Sequence, residues 1–246
     1  MRTRLARVAA GALALTVVVS ACSADGGGDE GSGDGPTSST SKPRQARPSD
    51  TTAPIKDAAL AAGSVVVTRT TASGSDADDT THEEIEVELT EPPSGRVLHV
   101  GEEIWTLDVV DGVGYLKDQT TRKSNNRWTR LSAAQTTERL EDVTLDGLLG
   151  DLDNATRVTK TEKATVAAQA ATCHTLTLGP DPDADAGDGP APQSARICVD
   201  GDRRPLELVV TAGDEVTTSV FTGWGSAVDA IAPPPNLVGQ GYAPAS

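Results

Sequence analysis

The clearest hydrophobic pattern in the chain lies at residues 83–90, EEIEVELT, where Ile85, Val87 and Leu89 alternate with Glu84, Glu86 and Glu88. A period of two puts the three apolar side chains on one face and the three acids on the other, which predicts a half-buried strand. β-Branched or apolar runs of strand length recur at SVVVTRTT (64–71), RVLHV (96–100) and EIWTLDVV (103–110). A further run, VGYLK (113–117), follows the turn signal Asp111-Gly112. Ahead of them, PIKDAALAAG (54–63) is framed by Pro54 and Gly63 and predicts a short helix.

After NNRWTRLS the period changes. Leu145, Leu148, Leu149 and Leu152 fall at helical spacing and predict one apolar stripe on a short helix. Strand patterns resume at TRVTKTEK (156–163), AATCHTLTL (170–178), SARICVD (194–200), PLELVVTA (205–212) and EVTTSVFTGWG (215–225). In the fourth of these, Leu206, Leu208 and Val210 alternate with Glu207 and Val209, so one sheet face is mainly apolar. The tail from Ala232 has no regular pattern. A helix, a run of strands, helices and a second run of strands predict an α+β fold: a large antiparallel sheet with helices on one face.

The N-terminus has a different character. Arg2, Arg4 and Arg7 precede an apolar run from Val8 to Val19, shorter than the roughly 20 residues that span a bilayer and proportioned like a secretory signal. The order Val19-Ser20-Ala21-Cys22 resembles a bacterial lipobox, whose cysteine thiol takes a diacylglyceryl group and becomes residue one. Residues 1–21 are therefore expected to be a lipoprotein signal peptide. Cys22 is expected to carry acyl chains, such as palmitate, that hold the protein on the extracytoplasmic face of the cell membrane; two chains anchor firmly where one holds only marginally. Residues 22–53 are rich in Gly, Ser, Thr, Asp and Pro and are expected to form a disordered linker reaching roughly 30 Å. Residues 54–246 are long enough for one domain with its own core.

Three cysteines are an odd number for a secreted chain. With Cys22 acylated, Cys173 and Cys198 remain as a pair in an oxidising compartment, and a hairpin of the segments that carry them would place both on one face. The net charge of −15 becomes −18 once residues 1–21, with three arginines and no acid, are removed. Such a surface excludes a broad basic footprint for nucleic acid. Aromatic residues make up 2% of the chain, so the core must be built from Val, Leu, Ile and Ala.

Four stretches resemble a known family: VDGVGYLKDQ followed by NNRWTRLS, the leucine-bearing helical segment after it, ICVDGDRRPLELVV, and SVFTGWGSAVDAIAPP. In this order and spacing they resemble the LppX/LprG group of bacterial lipoproteins, which are similar to the periplasmic carrier LolA. The resemblance covers most of residues 54–235. It implies a strongly curved antiparallel half-barrel with helices in its concave side, and between them an apolar cavity that holds acyl chains of a lipid or glycolipid. The expected lining is Val87, Leu89, Ile104, Leu107, Leu148, Leu149, Leu152, Leu208, Val210 and Val220. Trp105 and Trp224 are placed either at the cavity mouth or in the core. The alternative is a filled half-barrel that serves as an interaction or sensing module and meets an envelope protein partner through its acidic surface.

Catalytic and metal signals are weak. His82, His99 and His174 are scattered, and neither a G-x-S-x-G elbow nor an H-E-x-x-H helix occurs. Asp181, Asp183 and Asp185 mimic the start of a calcium loop, but Ala186 and Pro192 stand where glycine and a bidentate glutamate belong. The segment 181–189 is expected to be a solvated acidic loop. No enzyme, cofactor or metal site is expected.

Overall fold

The computed structural model describes residues 47–74, 80–120, 127–179 and 193–239. The chain divides into two units, Met1–Pro43 and Arg44–Ser246, and every described residue belongs to the second. The signal segment, Cys22, most of the linker and the acidic loop 181–189 lie outside the described residues.

Helix α1 (Pro48–Ala62) begins six residues before the position its sequence pattern suggests, and Pro54 lies inside it. Pro48 is the signal that marks the true start: it occupies the first turn, where a missing N–H costs nothing. Asp50 folds back to accept from the Arg47 N–H at 3.1 Å. The helix stops at Gly63, whose φ of 80° is left-handed. Strands β1 (Ser64–Ser73), β2 (Thr80–Glu88), β3 (Gly95–Val100), β4 (Ile104–Val110), β5 (Val113–Asp118) and β6 (Trp128–Arg130) form a meander. His82 lies within β2.

The leucine segment folds as a broken chain of turns. Helix α2 (Ala133–Leu140) starts on a Ser132–Gln135 capping box, with the Gln135 N–H donating to Ser132 Oγ and the Ser132 N–H to Gln135 Oε1. A 3-10 turn, the five-residue helix α3 (Leu145–Leu149) and a second 3-10 turn (Gly150–Asn154) follow. The second half of the sheet is β7 (Ala155–Val166), β8 (Gln169–Leu178), β9 (Gln193–Val199), β10 (Pro205–Ala212) and β11 (Glu215–Thr222). The tail, read as irregular, contributes β12 (Val238–Gly239).

Among the described residues these strands make one twelve-stranded open sheet, in the order β12-β6-β5-β4-β3-β2-β1-β11-β10-β9-β8-β7. Every pair is antiparallel except β12 with β6. The two meanders join where β1 meets β11, and β7 and β12 are left as free edges, so the architecture is the expected α+β half-barrel with helices against one face.

Register shows which side chains share that covered face. Phe221, Val67, Ile85, Val97, Leu107 and Leu116 are cross-strand neighbours in one row from β11 to β5. With Ile55 and Ala59 of α1, Leu140, Val143, Leu148, Leu149 and Leu152, they belong to one continuous buried cluster or pack against it. α2 approaches β5 so closely that a Cβ on Gly114 would lie 2.7 Å from Thr136 Oγ1, and that hydroxyl accepts from the Gly114 N–H. The outer face carries a smaller cluster of Ala171, Cys173, Cys198 and Leu206. Leu206 stands there rather than with Leu208, because the register shifts between Pro205 and Glu207.

Candidate functional site

The next cross-strand row on the covered face is polar in its middle. Leu208, Ser219, Arg69, Glu83, His99 and Trp105 are direct neighbours across β10, β11, β1, β2, β3 and β4. Arg69 Nη1 donates to Glu83 Oε2 at 3.4 Å, and His99 Nδ1 lies 3.0 Å from Glu83 Oε1. His99 stacks on Trp105 with ring centroids 4.8 Å apart, and the Arg139 guanidinium of α2 lies 5.2 Å from the Trp105 ring. One row further out, Thr71 and Thr217 pair through their hydroxyls at 3.1 Å, with Val210 beside Thr217. The covered face thus passes from aliphatic in its centre to hydroxylated and charged toward the β10–β11 turn.

Over this polar end the helices leave a gap. A cleft of about 470 Å³ runs between β1, β11 and β10 on one side and the α3 segment on the other. Leu208, Val210 and Leu148 give it apolar walls, Arg69, Thr71, Thr217 and Ser219 line the sheet side, and Asp146, Asp151 and Glu215 stand at the rim. A second groove of about 700 Å³ lies on the other side of α3, between α2 and the turns at Pro93 and Gly112, with Glu91, Glu141 and Asp146 along it. The wall between the two voids is fastened to α1 by Lys56, whose Nζ lies 2.5 Å from Asp153 and 3.4 Å from Asp146.

The expected lining residues separate into three groups. Leu148, Leu208 and Val210 border the cleft. Val87, Leu107, Leu149 and Leu152 are no more than 2% exposed, and Leu89 packs against the same cluster at its edge. Ile104 and Val220 stand on the outer face, since they pair with Val100 and with Thr68 and Glu207 in the phase opposite to Leu107 and Phe221. Both tryptophans pack against the main cluster, and Trp224 Nε1 donates to the Pro205 carbonyl at 2.8 Å.

Cys173 and Cys198 are register partners on β8 and β9 and form a disulfide on the outer face. Among the described residues no group of histidine, cysteine and acids is arranged to hold a metal ion, and no helix is long and apolar enough to cross a membrane.

Arg69, Glu83, Thr71 and Ser219 were not singled out by pattern, although a signal was present. Arg69 and Thr71 share the phase of Val65 and Val67, and Glu83 shares that of Ile85 and Val87. A charge in the apolar phase of a strand must be paired or must face a polar void.

Neither a family model nor a curated protein matches the sequence. Solved structures do. The crystal structure of the Mycobacterium tuberculosis lipoprotein LppX is 17% identical with a TM-score of 0.50, covering 73% of this chain and 95% of that one. LprF from Mycobacterium bovis is 12% identical with a TM-score of 0.54, covering 76% and 96%. At these identities the likeness is one of fold, and the fold is the LppX/LprG-type half-barrel that the sequence motifs resemble.

Proposed function

We propose that the chain is a lipid carrier of the bacterial cell envelope, holding an acyl chain or glycolipid in the cleft between its sheet and its α3 segment. The observation that carries this reading is the cleft itself. Its volume of about 470 Å³ falls within the range of small-molecule pockets, and Leu148, Leu208 and Val210 offer an apolar surface beside it. In this reading Cys22 is the acylated anchor on the extracytoplasmic face, residues 23–46 are the tether, and the protein binds and hands over cargo without chemical conversion.

A second reading has its own support. Val87, Leu107, Leu149 and Leu152 are almost fully buried, so the middle of the half-barrel is packed rather than hollow. A packed half-barrel suits an interaction or sensing module that meets an envelope protein partner.

Native mass spectrometry of the full chain from bacterial envelopes separates the two, with denaturing spectra to subtract the covalent anchor. The carrier reading expects a stoichiometric non-covalent lipid adduct that is lost in Val210→Trp. Val210 is half-buried and borders the cleft, so a larger ring there fills the void, whereas Leu149→Trp would overpack the core. A mass that stays free of adduct after incubation with envelope lipids sinks the carrier reading and leaves the interaction module.

A further inference from the structure

We infer that the β7–β8 hairpin is the part of the protein turned toward an anionic membrane, with its alanine tip at the lipid surface and Lys160 and Lys163 over the headgroups. This orientation rests on the reading of Cys22 as an acylated anchor and is independent of what the cleft holds.

β7 and β8 carry Arg157, Lys160 and Lys163 against a single acid, Glu162, in a chain whose net charge is −15. Lys160 and Lys163 are exposed, and Lys160 Nζ lies 2.6 Å from Glu162 in a pair open to water. The hairpin runs past its neighbour. β9 ends at Val199, opposite Thr172, so residues 164–171 lie beyond the last pair of the β8–β9 ladder. Ala164 and Val166 pack back against the cluster of Ala171, Cys173, Cys198 and Leu206, which holds the tip in place, while Ala167, Ala168 and Ala170 are exposed. No charge occurs from 164 to 171, so the tip meets a headgroup layer without stripping water from an ion.

The anchor enters from the same end. Asp50, Thr51 and Pro54 of the first turns of α1 line a void with Thr172, Val199 and Arg203, so the chain that leads from Cys22 joins the domain beside the hairpin tip. A tether of residues 23–46 therefore keeps this end of the sheet nearest the bilayer. An anionic leaflet repels the acidic bulk of the molecule and attracts cations that come within a Debye length of it, so the edge with a positive excess turns inward. The acids at this end are engaged: Asp50 accepts from the Arg47 N–H, and Asp200 and Asp202 accept from Arg204. The cleft lies at the opposite end of the same strands, beside Gln193 and Glu215. In this orientation its rim faces away from the protein's own membrane and stays open to a second surface.

Fluorescence quenching on the full acylated chain in vesicles tests the orientation. With Cys22 acylated and Cys173 bonded to Cys198, a cysteine introduced by Ala168→Cys or by Asp214→Cys is the one free thiol for a fluorophore. Asp214 is exposed in the β10–β11 turn, at the far end of the sheet. In vesicles of phosphatidylglycerol and phosphatidylcholine doped with a headgroup-nitroxide lipid, the Ala168→Cys probe is expected to be quenched and the Asp214→Cys probe to stay bright. Replacing Lys160→Gln and Lys163→Gln should weaken the preferred orientation roughly fivefold per lysine at low salt, and vesicles of phosphatidylcholine alone should abolish it. Equal quenching at the two positions, or stronger quenching at Asp214→Cys, overturns the orientation while the anchor and carrier readings stand. Quenching at Ala168→Cys that persists in phosphatidylcholine and in the lysine variant overturns the part given to Lys160 and Lys163. A chain that does not stay with either vesicle brings down the anchor reading, and the orientation with it.

Discussion

Lys56 of α1 reaches across to Asp153 in the 3-10 turn that follows α3, with Nζ 2.5 Å from the carboxylate, and touches Asp146 of α3 at 3.4 Å. One ammonium therefore joins the first helix to both ends of the segment that walls the cleft. The Lys56 side chain is 16% exposed, but its partners are 62% and 89% exposed, so water screens the attraction. Lys56→Met is expected to cost about 1 kcal/mol or less in denaturant unfolding, while amide exchange over residues 145–154 speeds up. Raising the salt should narrow the gap between variant and parent. Unchanged exchange in that segment would show that Leu148, Leu149 and Leu152 hold it without the clasp.

Much of this fold is written in the sequence, and the gaps have physical causes. Strand β2 is legible because its alternation of Ile85 and Val87 with glutamates is unbroken, and the helices against one face follow from the order of elements. The start of α1 is obscured because Pro54 resembles a first-turn proline, while the real one is Pro48. The leucine stripe suggests one helix. Leu149 and Gly150 instead part α3 from a 3-10 turn, a break that leucine spacing alone does not record. Leu206 reads as a companion of Leu208 until the register shift beside Pro205 turns it to the other face. Ile104 and Val220 show the same limit, since an apolar residue in a strand carries no mark of which face it takes when both of its neighbours are also tolerable there. The cleft is a tertiary feature: it exists where the short helices run out over the sheet, and in the sequence it is hinted at by the charges at Arg69 and Glu83 in apolar strand phases.

Asp108 of β4 is 2% exposed on the outer face and is held by Arg96 of β3, with Nε 2.6 Å from Oδ1 and Nη2 3.2 Å from Oδ2. The hydrogen bond to Asp108 raises the Arg96 pKa against the opposing effect of partial burial. Arg96→Ala leaves a buried carboxylate unpaired and is expected to cost about 2–3 kcal/mol; this is discounted from the fully buried case because Arg96 is half exposed and water can take its place. The double variant Arg96→Met, Asp108→Leu should recover most of that loss. A double variant no better than the single, in urea unfolding, would show that packing around the pair rather than the stranded charge sets the cost.

Cys173 and Cys198 lie directly opposite each other with Cα atoms 4.0 Å apart, and both are at most 1% exposed beneath Ala171 and Leu206. Their bond closes a loop with a sequence separation of 25, and the chain-entropy model gives about 3 kcal/mol for a loop of that order. The double variant Cys173→Ala, Cys198→Ala should lose stability of that size. Because the sulfurs are buried, mild reductant should act only through molecules that open, so the reduction rate should rise with urea well below the unfolding midpoint. Rapid reduction in native buffer, independent of urea, would show that β7 and β8 part locally and expose the bond.

His174 follows Cys173 on β8 but faces the covered side, with Nδ1 3.0 Å from Thr161 Oγ1. It borders a small void of about 340 Å³ shared with Asp50, Asp200 and Arg203. Burial lowers its pKa below the usual 6.5, so the folded chain holds the imidazole neutral where the unfolded chain has begun to protonate it. The folded state then binds fewer protons than the unfolded one, and stability rises with pH across that window. This contribution is complete above about pH 6.5 and is lost as the pH falls from there through the depressed folded value, below which it stays lost. His174→Gln keeps a polar side chain beside Thr161 but cannot titrate. Between pH 7 and pH 5.5 the parent should lose more stability than the variant in urea unfolding, with the two curves running parallel above pH 7. Equal slopes below pH 6.5 would mean that Asp50 and Asp200 stabilise the imidazolium enough to cancel its desolvation.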